Sequence, residues 1–300
     1  MDIINKTKFL SEKTKNIYKK KINEISNILK ENNIMKIIEN PELFNNKICE
    51  YCDNKKLGDH TKVSFYSPIL SIFNHNSELK ESKSDLFIKW NQLYKNINEN
   101  IEKKYKKNEP TEKQKQAYIN YEDIIKTRDK LKTGTQEKLL LCMYTMIPPM
   151  RSDYWKTEII KSNKYAPSTD NYICLNPPQL ILQKYKTSKT YGKLIIDLPQ
   201  ELIDEIKINI KKIPRKYLFV SPIDNKQFNN NCSFNKWANN KLKKIFNNDY
   251  ISLTFLRHIY ISRKDLNLIN KSGLEREIIA KKMAHSLNQQ QKYVWLNCST

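Results

Sequence analysis

Four glycines in 300 residues, Gly58, Gly134, Gly192 and Gly273, set the tightest limit on what this chain can fold into. A P-loop and a dinucleotide-binding turn each need glycines a few residues apart, so that the backbone can close around a phosphate. No two glycines here are close enough. The scarcity excludes the nucleotide-cradling α/β folds, and with them nucleotide-driven motors and dehydrogenases. Neither a nucleotide nor any other cofactor is expected.

The length is enough to bury a full core and to divide into two domains. Lysine and arginine number 54 against 32 aspartates and glutamates, a net charge of +22. That balance and a pI near 9.5 favour a polyanion partner, nucleic acid first. Abundant Lys, Asn and Ile are also what an A/T-rich coding sequence produces, so composition alone explains part of the charge. Such a sequence would suit a mobile element or a large DNA virus. The charge is uneven: residues 1–110 carry 21 basic and 15 acidic side chains, the remainder 33 and 17.

The arginines carry more information than the lysines. There are six: Arg128, Arg151, Arg215, Arg257, Arg263 and Arg276. In so lysine-rich a chain, an arginine marks a place where lysine fails. The planar guanidinium fork grips phosphate through two hydrogen bonds, which an ammonium cannot do.

The six cysteines follow no secretory leader, because MDIINKTKFL has no apolar run of useful length. No stretch approaches a membrane span. An intracellular protein with reduced thiols and no membrane partner is expected, in host cytoplasm or nucleus if viral. Cys49 and Cys52, with His60 and His75 downstream, form a weak zinc pattern of irregular spacing, and no metal is expected.

Along the chain, SEKTKNIYKKKINEISNILK at 11–30 predicts a helix with Ser11 as N-cap. Further helices are expected near 61–76 and 85–101. The charged segment IEKKYKKNEPT, 101–111, predicts a linker, so the chain divides into 1–110 and 111–300. The second part opens with a helix from about Lys113 to Lys132, broken by KTGT. QEKLLLCMYTMI then predicts a buried helix, ended by Pro148 and Pro149, with Arg151 entering the next one. Three β-type runs follow, NYICL, LILQKY and KLIIDL, the last two flanking a turn KTSKTYG. Helices return at 199–212, 233–246, 253–267 and 274–284. The expected fold is mainly α with a small β-sheet. Trp155 and Trp295 are expected in the core; Trp90 and Trp237 stay undecided.

Four separated patches carry possible chemistry: Arg151 in IPPMRSDYW, Lys189 in KTSKTYGKLIIDLP, Arg257 in LTFLRHIYIS, and MAHSLNQQQKYVW with His285 and Tyr293. Each alone reads as ordinary structure. Lone arginines brace helices, a histidine at a helix end is usually satisfied locally, and Tyr293 is one of 17 tyrosines. Together they supply what breaking a phosphodiester needs without metal: a nucleophile, a proton for the leaving oxygen, and donors for the pentavalent phosphorane. A tyrosyl phosphate ester also conserves bond energy, so a strand could be rejoined without ATP.

The pattern resembles the tyrosine recombinases (phage-integrase family) over roughly residues 112–295. MRSDYWKTEI looks like the family's first-arginine helix, with Asp153 in place of the usual nearby Glu. KTSKTYGKLIIDLP looks like its β-hairpin, whose lysine is the general acid toward the 5′-oxygen; Lys189 fits best, with Lys186 as the fallback. TFLRHIYIS looks like the second-arginine segment, and MAHSLNQQQKYVW like the closing His…Tyr element. The resemblance implies a helical N-terminal DNA-clamping domain joined to a catalytic domain. It implies a site-specific recombinase or integrase acting through a 3′-phosphotyrosine, as a tetramer on double-stranded DNA.

Three departures stand out. Thr254 occupies the place of the family's first histidine; it can hydrogen-bond a phosphate but cannot shuttle a proton. Tyr293 follows His285 by eight positions, one fewer than in common bacterial members. Seven residues follow the tyrosine, short for a tail helix donated to a neighbour. Two alternatives remain: a type IB topoisomerase, which the short tail favours, and a non-catalytic DNA-binding protein, which Thr254 favours. His258 is read as structural, packing beside Arg257.

Overall fold

The structure is a computed structural model and describes residues 10–295, without the side chain of Ile269. Most of the segment read for a leader, Cys298 and the end of the short tail lie outside the described residues. The chain divides into two compact units between Lys107 and Asn108.

The first unit is helical: α1 Glu12–Leu29, α2 Ile34–Glu39, α3 Pro41–Asn54, α4 Asp59–Asn74, α5 Ser77–Ser82 and α6 Ser84–Lys106. Ser11 caps α1, its hydroxyl accepting the Thr14 N–H at 3.2 Å. Ile25, Phe44, Ile48, Phe65, Tyr66 and Phe73 close around Trp90, which is fully buried. The Trp90 indole N–H donates to the Ile38 carbonyl at 2.9 Å. Trp90 is therefore core, and truncating it to Ala would cost about 3–5 kcal/mol.

The expected linker at 101–111 begins too early. α6 runs on to Lys106 and buries Ile101. Trp90, Tyr94, Ile97 and Ile101 keep one apolar stripe at helical spacing through the charged run. Lys103, Lys104 and Lys106 then sit in the last turn, where the helix dipole favours cations. Cys49 and Cys52 share α3, whereas His60 hydrogen-bonds Tyr105 at 3.0 Å and His75 the Ser71 carbonyl at 2.8 Å. No group of three metal-ligating side chains occurs among the described residues.

The second unit opens with α7 Glu112–Ala117, α8 Tyr121–Lys130 and α9 Gln136–Thr145. The single helix expected over 113–132 is thus two. Tyr118 is extended, and Glu122 and Asp123 fall in the first turn of α8, at its positive end. α9 is buried from Leu139 to Tyr144. The rest is β1 Glu158–Ile160, β2 Tyr172–Leu175, β3 Pro178–Leu182, α10 Ser188–Tyr191, β4 Leu194–Asp197, α11 Gln200–Lys212, α12 Asn231–Phe246, α13 Leu253–Ser262, α14 Gly273–Lys282 and α15 Leu287–Tyr293. One sheet runs β1-β2-β3-β4, with β1 parallel to β2 and the other pairs antiparallel.

The fold is mainly α with a small sheet, as the sequence predicts. Details differ for physical reasons. β1 has three residues, too few to show a period. β3 ends at Leu182 because the Asn171 side-chain oxygen takes the N–H groups of Gln183 and Lys184, both at 2.8 Å. The KTSKTYG turn contains a helical turn, α10, closed by Gly192 at φ 65° and ψ −151°, a conformation essentially restricted to glycine. α13 stops at Ser262, where Arg263 turns extended and lays its guanidinium over the rings of Tyr121 and Tyr260. Trp295 is buried; Trp155 and Trp237 are half-buried against the same core. No helix among the described residues is long and apolar enough to cross a membrane.

Candidate active site

Arg151 does not enter a helix as expected. After Pro148 and Pro149 the chain bends, and only a one-turn 3-10 helix follows, Asp153–Lys156. Tyr144 on α9 fixes the bend by donating its hydroxyl to the Arg151 carbonyl at 2.7 Å. Asp153 is buried beneath it. Its carboxylate accepts the Lys186 N–H, and burial raises its pKa against the opposing pull of Arg151, Arg257 and Lys186. Asn171 ties the same segment to the hairpin, donating to the carbonyls of Asp153 at 3.3 Å and Lys184 at 2.8 Å.

The turn Met283-Ala284-His285 is the hub. Ala284 adopts φ 52°, in the left-handed region that an alanine rarely enters. Its carbonyl receives the Arg151 guanidinium at 3.2 Å and the Thr187 hydroxyl at 3.0 Å. One oxygen therefore links the first arginine, the hairpin and the segment before Tyr293.

Arg257 approaches from α13, which Ser252 caps by accepting the Phe255 N–H. It is 1% exposed, and its donors reach the carbonyls of Pro149 at 2.6 Å and Met283 at 3.2 Å. Burial pulls its pKa down, while the nearby Tyr293 pulls the other way. The guanidinium carbon lies 5.2 Å from the Tyr293 ring centre. An arginine stays charged in such a setting, so a fixed cation faces the phenol.

His285 completes the cluster. Its Nδ1 lies 3.2 Å from Arg257, and its ring stacks on Tyr293 at 5.4 Å and 23°. Burial first, then the charges of Arg257 and Arg151, hold its pKa down at about 3. Its Nε2 is buried and has no hydrogen-bond partner among the described residues.

Arg151, Arg257, His285 and Tyr293 thus meet around one turn. Lys189 and Thr254 are not brought into it by any hydrogen bond or ion pair among the described residues. Lys189 is exposed on α10; Lys186 is exposed too, with its backbone against Asp153. Thr254 is exposed on the first turn of α13, three residues before Arg257. A cavity of about 450 Å³ joins the hairpin to this turn, lined by Thr190, Tyr191, Ala280, Lys281, His285 and Ser286.

No protein-family model matches the chain, and no curated protein matches it. A solved structure of XerA recombinase is similar to it. The TM-score is 0.44 and the identity 11%, over 96% of this chain and 88% of that one.

Sequence reasoning undervalued two residues and missed one. His258 holds the Tyr293 carbonyl at 2.9 Å, besides packing near Arg257. Asp153 is a buried carboxylate between two arginines. Asn171 carried no signal, being one of many asparagines. Chemically, the cluster offers a tyrosine hydroxyl, two guanidinium groups and a neutral imidazole N–H. That set of donors suits an oxyanion of phosphorus.

Proposed function

We propose that this protein cuts and rejoins DNA strands through Tyr293, as a recombinase or integrase of the tyrosine-recombinase type. The observation that carries the reading is the convergence of Arg257 and His285 on the Tyr293 ring, with Arg151 anchored to the same turn. The Tyr293 hydroxyl gives up its proton to water as its oxygen attacks the phosphorus of a DNA strand. The P–O5′ bond breaks, a 3′-phosphotyrosyl bond forms, and the 5′-oxygen leaves with a proton. Attack by that 5′-hydroxyl reverses the step and restores both strand and tyrosine.

The roles follow from charge and hydrogen count. Arg151 and Arg257 stabilise the charge that builds on the non-bridging oxygens. His285 accepts from Arg257 at Nδ1, so its neutral ring presents Nε2–H as a further donor. Lys189 on the hairpin supplies the leaving-group proton, with Lys186 as the fallback. Thr254 can donate to a phosphate oxygen. Positive donors stand in for a divalent metal in this scheme, and the phosphotyrosyl bond conserves the energy for rejoining, so no ATP is needed. The excess of basic residues attracts the DNA backbone, and a tetramer would be the working unit on DNA.

The test uses the full chain and two labelled duplexes in EDTA. Strand exchange with a denaturant-stable protein–DNA intermediate is expected. Relaxation of supercoiled circles without exchange would point to a type IB topoisomerase. Binding with no covalent intermediate on any duplex would leave only a non-catalytic DNA-binding protein.

A further inference from the structure

We propose that His258 is a positioning residue that sets the nucleophile's place, an inference that rests on the reading of Tyr293 above. α15 is only seven residues long and ends at Tyr293. A helix so short does not hold itself in place, and its last carbonyls have no partner within it. The Tyr293 carbonyl finds one on α13: His258 Nδ1 lies 2.9 Å away, and the Ser262 hydroxyl 3.5 Å. A carbonyl only accepts, so Nδ1 carries the hydrogen.

The chain beyond the helix is clipped to the same residues. The Trp295 N–H donates to Ser262 Oγ at 2.8 Å, and the Trp295 indole stacks on His258 at 4.6 Å and 10°. The His258 ring also packs on Tyr293, at 4.4 Å, and meets Phe255 edge-on at 6.3 Å. His258 and Ser262 are four residues apart and share one face of α13. Arg257, one residue earlier, holds its guanidinium carbon 5.2 Å from the centre of the Tyr293 ring. Consecutive residues of one helix therefore grip the two ends of Tyr293: Arg257 the side chain, His258 the carbonyl. Displacing a reacting atom by about 1 Å can cost on the order of a hundredfold in rate.

The experiment measures single-turnover formation of the covalent adduct on a nicked duplex, at saturating and at graded DNA. His258→Leu should slow the saturated rate by about tenfold or more, leaving the half-saturating DNA concentration unchanged. His258→Asn places an amide donor near the position of Nδ1 and should recover the rate to within about threefold of wild type. His258→Gln carries its donor one bond further out and should stay slow. A wild-type rate in His258→Leu overturns the proposal. So do equal rates in folded Asn and Gln variants, which keep the comparison usable if Leu does not fold. A loss that follows the unfolding temperature and that Asn does not rescue marks His258 as packing alone, and also overturns it. No adduct from the wild type would instead overturn the nucleophile reading, and this inference with it.

Discussion

Arg257 Nη2 lies 3.2 Å from His285 Nδ1, and that single contact decides the histidine's tautomer. A guanidinium only donates, so Nδ1 accepts and the ring hydrogen sits on Nε2. With its pKa held down at about 3, His285 is neutral at physiological pH. It is a fixed donor there and does not titrate with the medium as an ordinary histidine does.

The same shift predicts a pH dependence of stability. A depressed histidine binds its proton more weakly folded than unfolded. Stability is therefore unaffected above the unfolded pKa of about 6.5 and falls as pH drops from there toward the folded value. His258, lowered by burial to about 4, acts in the same direction. Urea melts between pH 7 and 4.5 should show stability falling by up to roughly 1 kcal/mol per pH unit for each histidine. His285→Gln should have a shallower slope than wild type. Parallel slopes would mean that the ring is not held neutral.

Arg151→Lys and Arg257→Lys should each slow adduct formation by about a hundredfold or more, as loss of a transition-state donor does. They should differ in stability. Arg257 is buried and serves the carbonyls of Pro149 and Met283, so lysine there should cost about 1–3 kcal/mol. Arg151 is half-buried with one such contact, and its variant should melt close to wild type. Near-normal cleavage in either would make that arginine a structural brace.

Lys189→Ala should slow cleavage of ordinary DNA but spare a substrate with a 5′-bridging sulfur, whose leaving group needs no acid. Lys186→Ala should show little of that rescue. Both lysines are exposed, and the Lys186 backbone contacts Asp153, on which the two arginines also act, so the experiment decides between them. Rescue of Lys186→Ala alone would move the acid to Lys186; rescue of neither would place it elsewhere.

What the sequence made legible was local. Arg257, His285 and Tyr293 each sit in a short patch, and the patches suggest phosphate chemistry when taken together; the runs beside KTSKTYG are rich in branched apolar residues. What stayed hidden depends on segments far apart in the chain. Asp153 matters through Lys186, Asn171 through Gln183 and Lys184, and His258 through Tyr293. These partners stand 12 to 35 residues apart, beyond the reach of a helix or strand period. The end of α6 was misread because its lysines outnumber the apolar positions that continue the stripe to Ile101. The bend at Arg151 was misread as helix because two prolines also mark helix starts.

Residues 108–300 should fold without the first unit, because they hold their own core from Tyr121 to Trp295. The fragment should melt cooperatively, bind DNA more weakly than the full chain, and show a smaller dependence of affinity on salt, since fewer phosphate contacts release fewer counterions. An unfolded fragment, or one that binds as tightly as the full chain, would contradict the division of labour between the two units.

The most direct measurement is the identity of the residue that carries DNA after reaction. The full chain is incubated in EDTA with a nicked duplex that traps the intermediate, digested, and the DNA-bearing peptide sequenced by mass spectrometry. The account predicts a phosphodiester joining Tyr293 to a 3′ DNA end, and no adduct from Tyr293→Phe despite near-normal DNA binding. An adduct on another residue such as Tyr260, a 5′-linked adduct, or an undiminished adduct from Tyr293→Phe would contradict it.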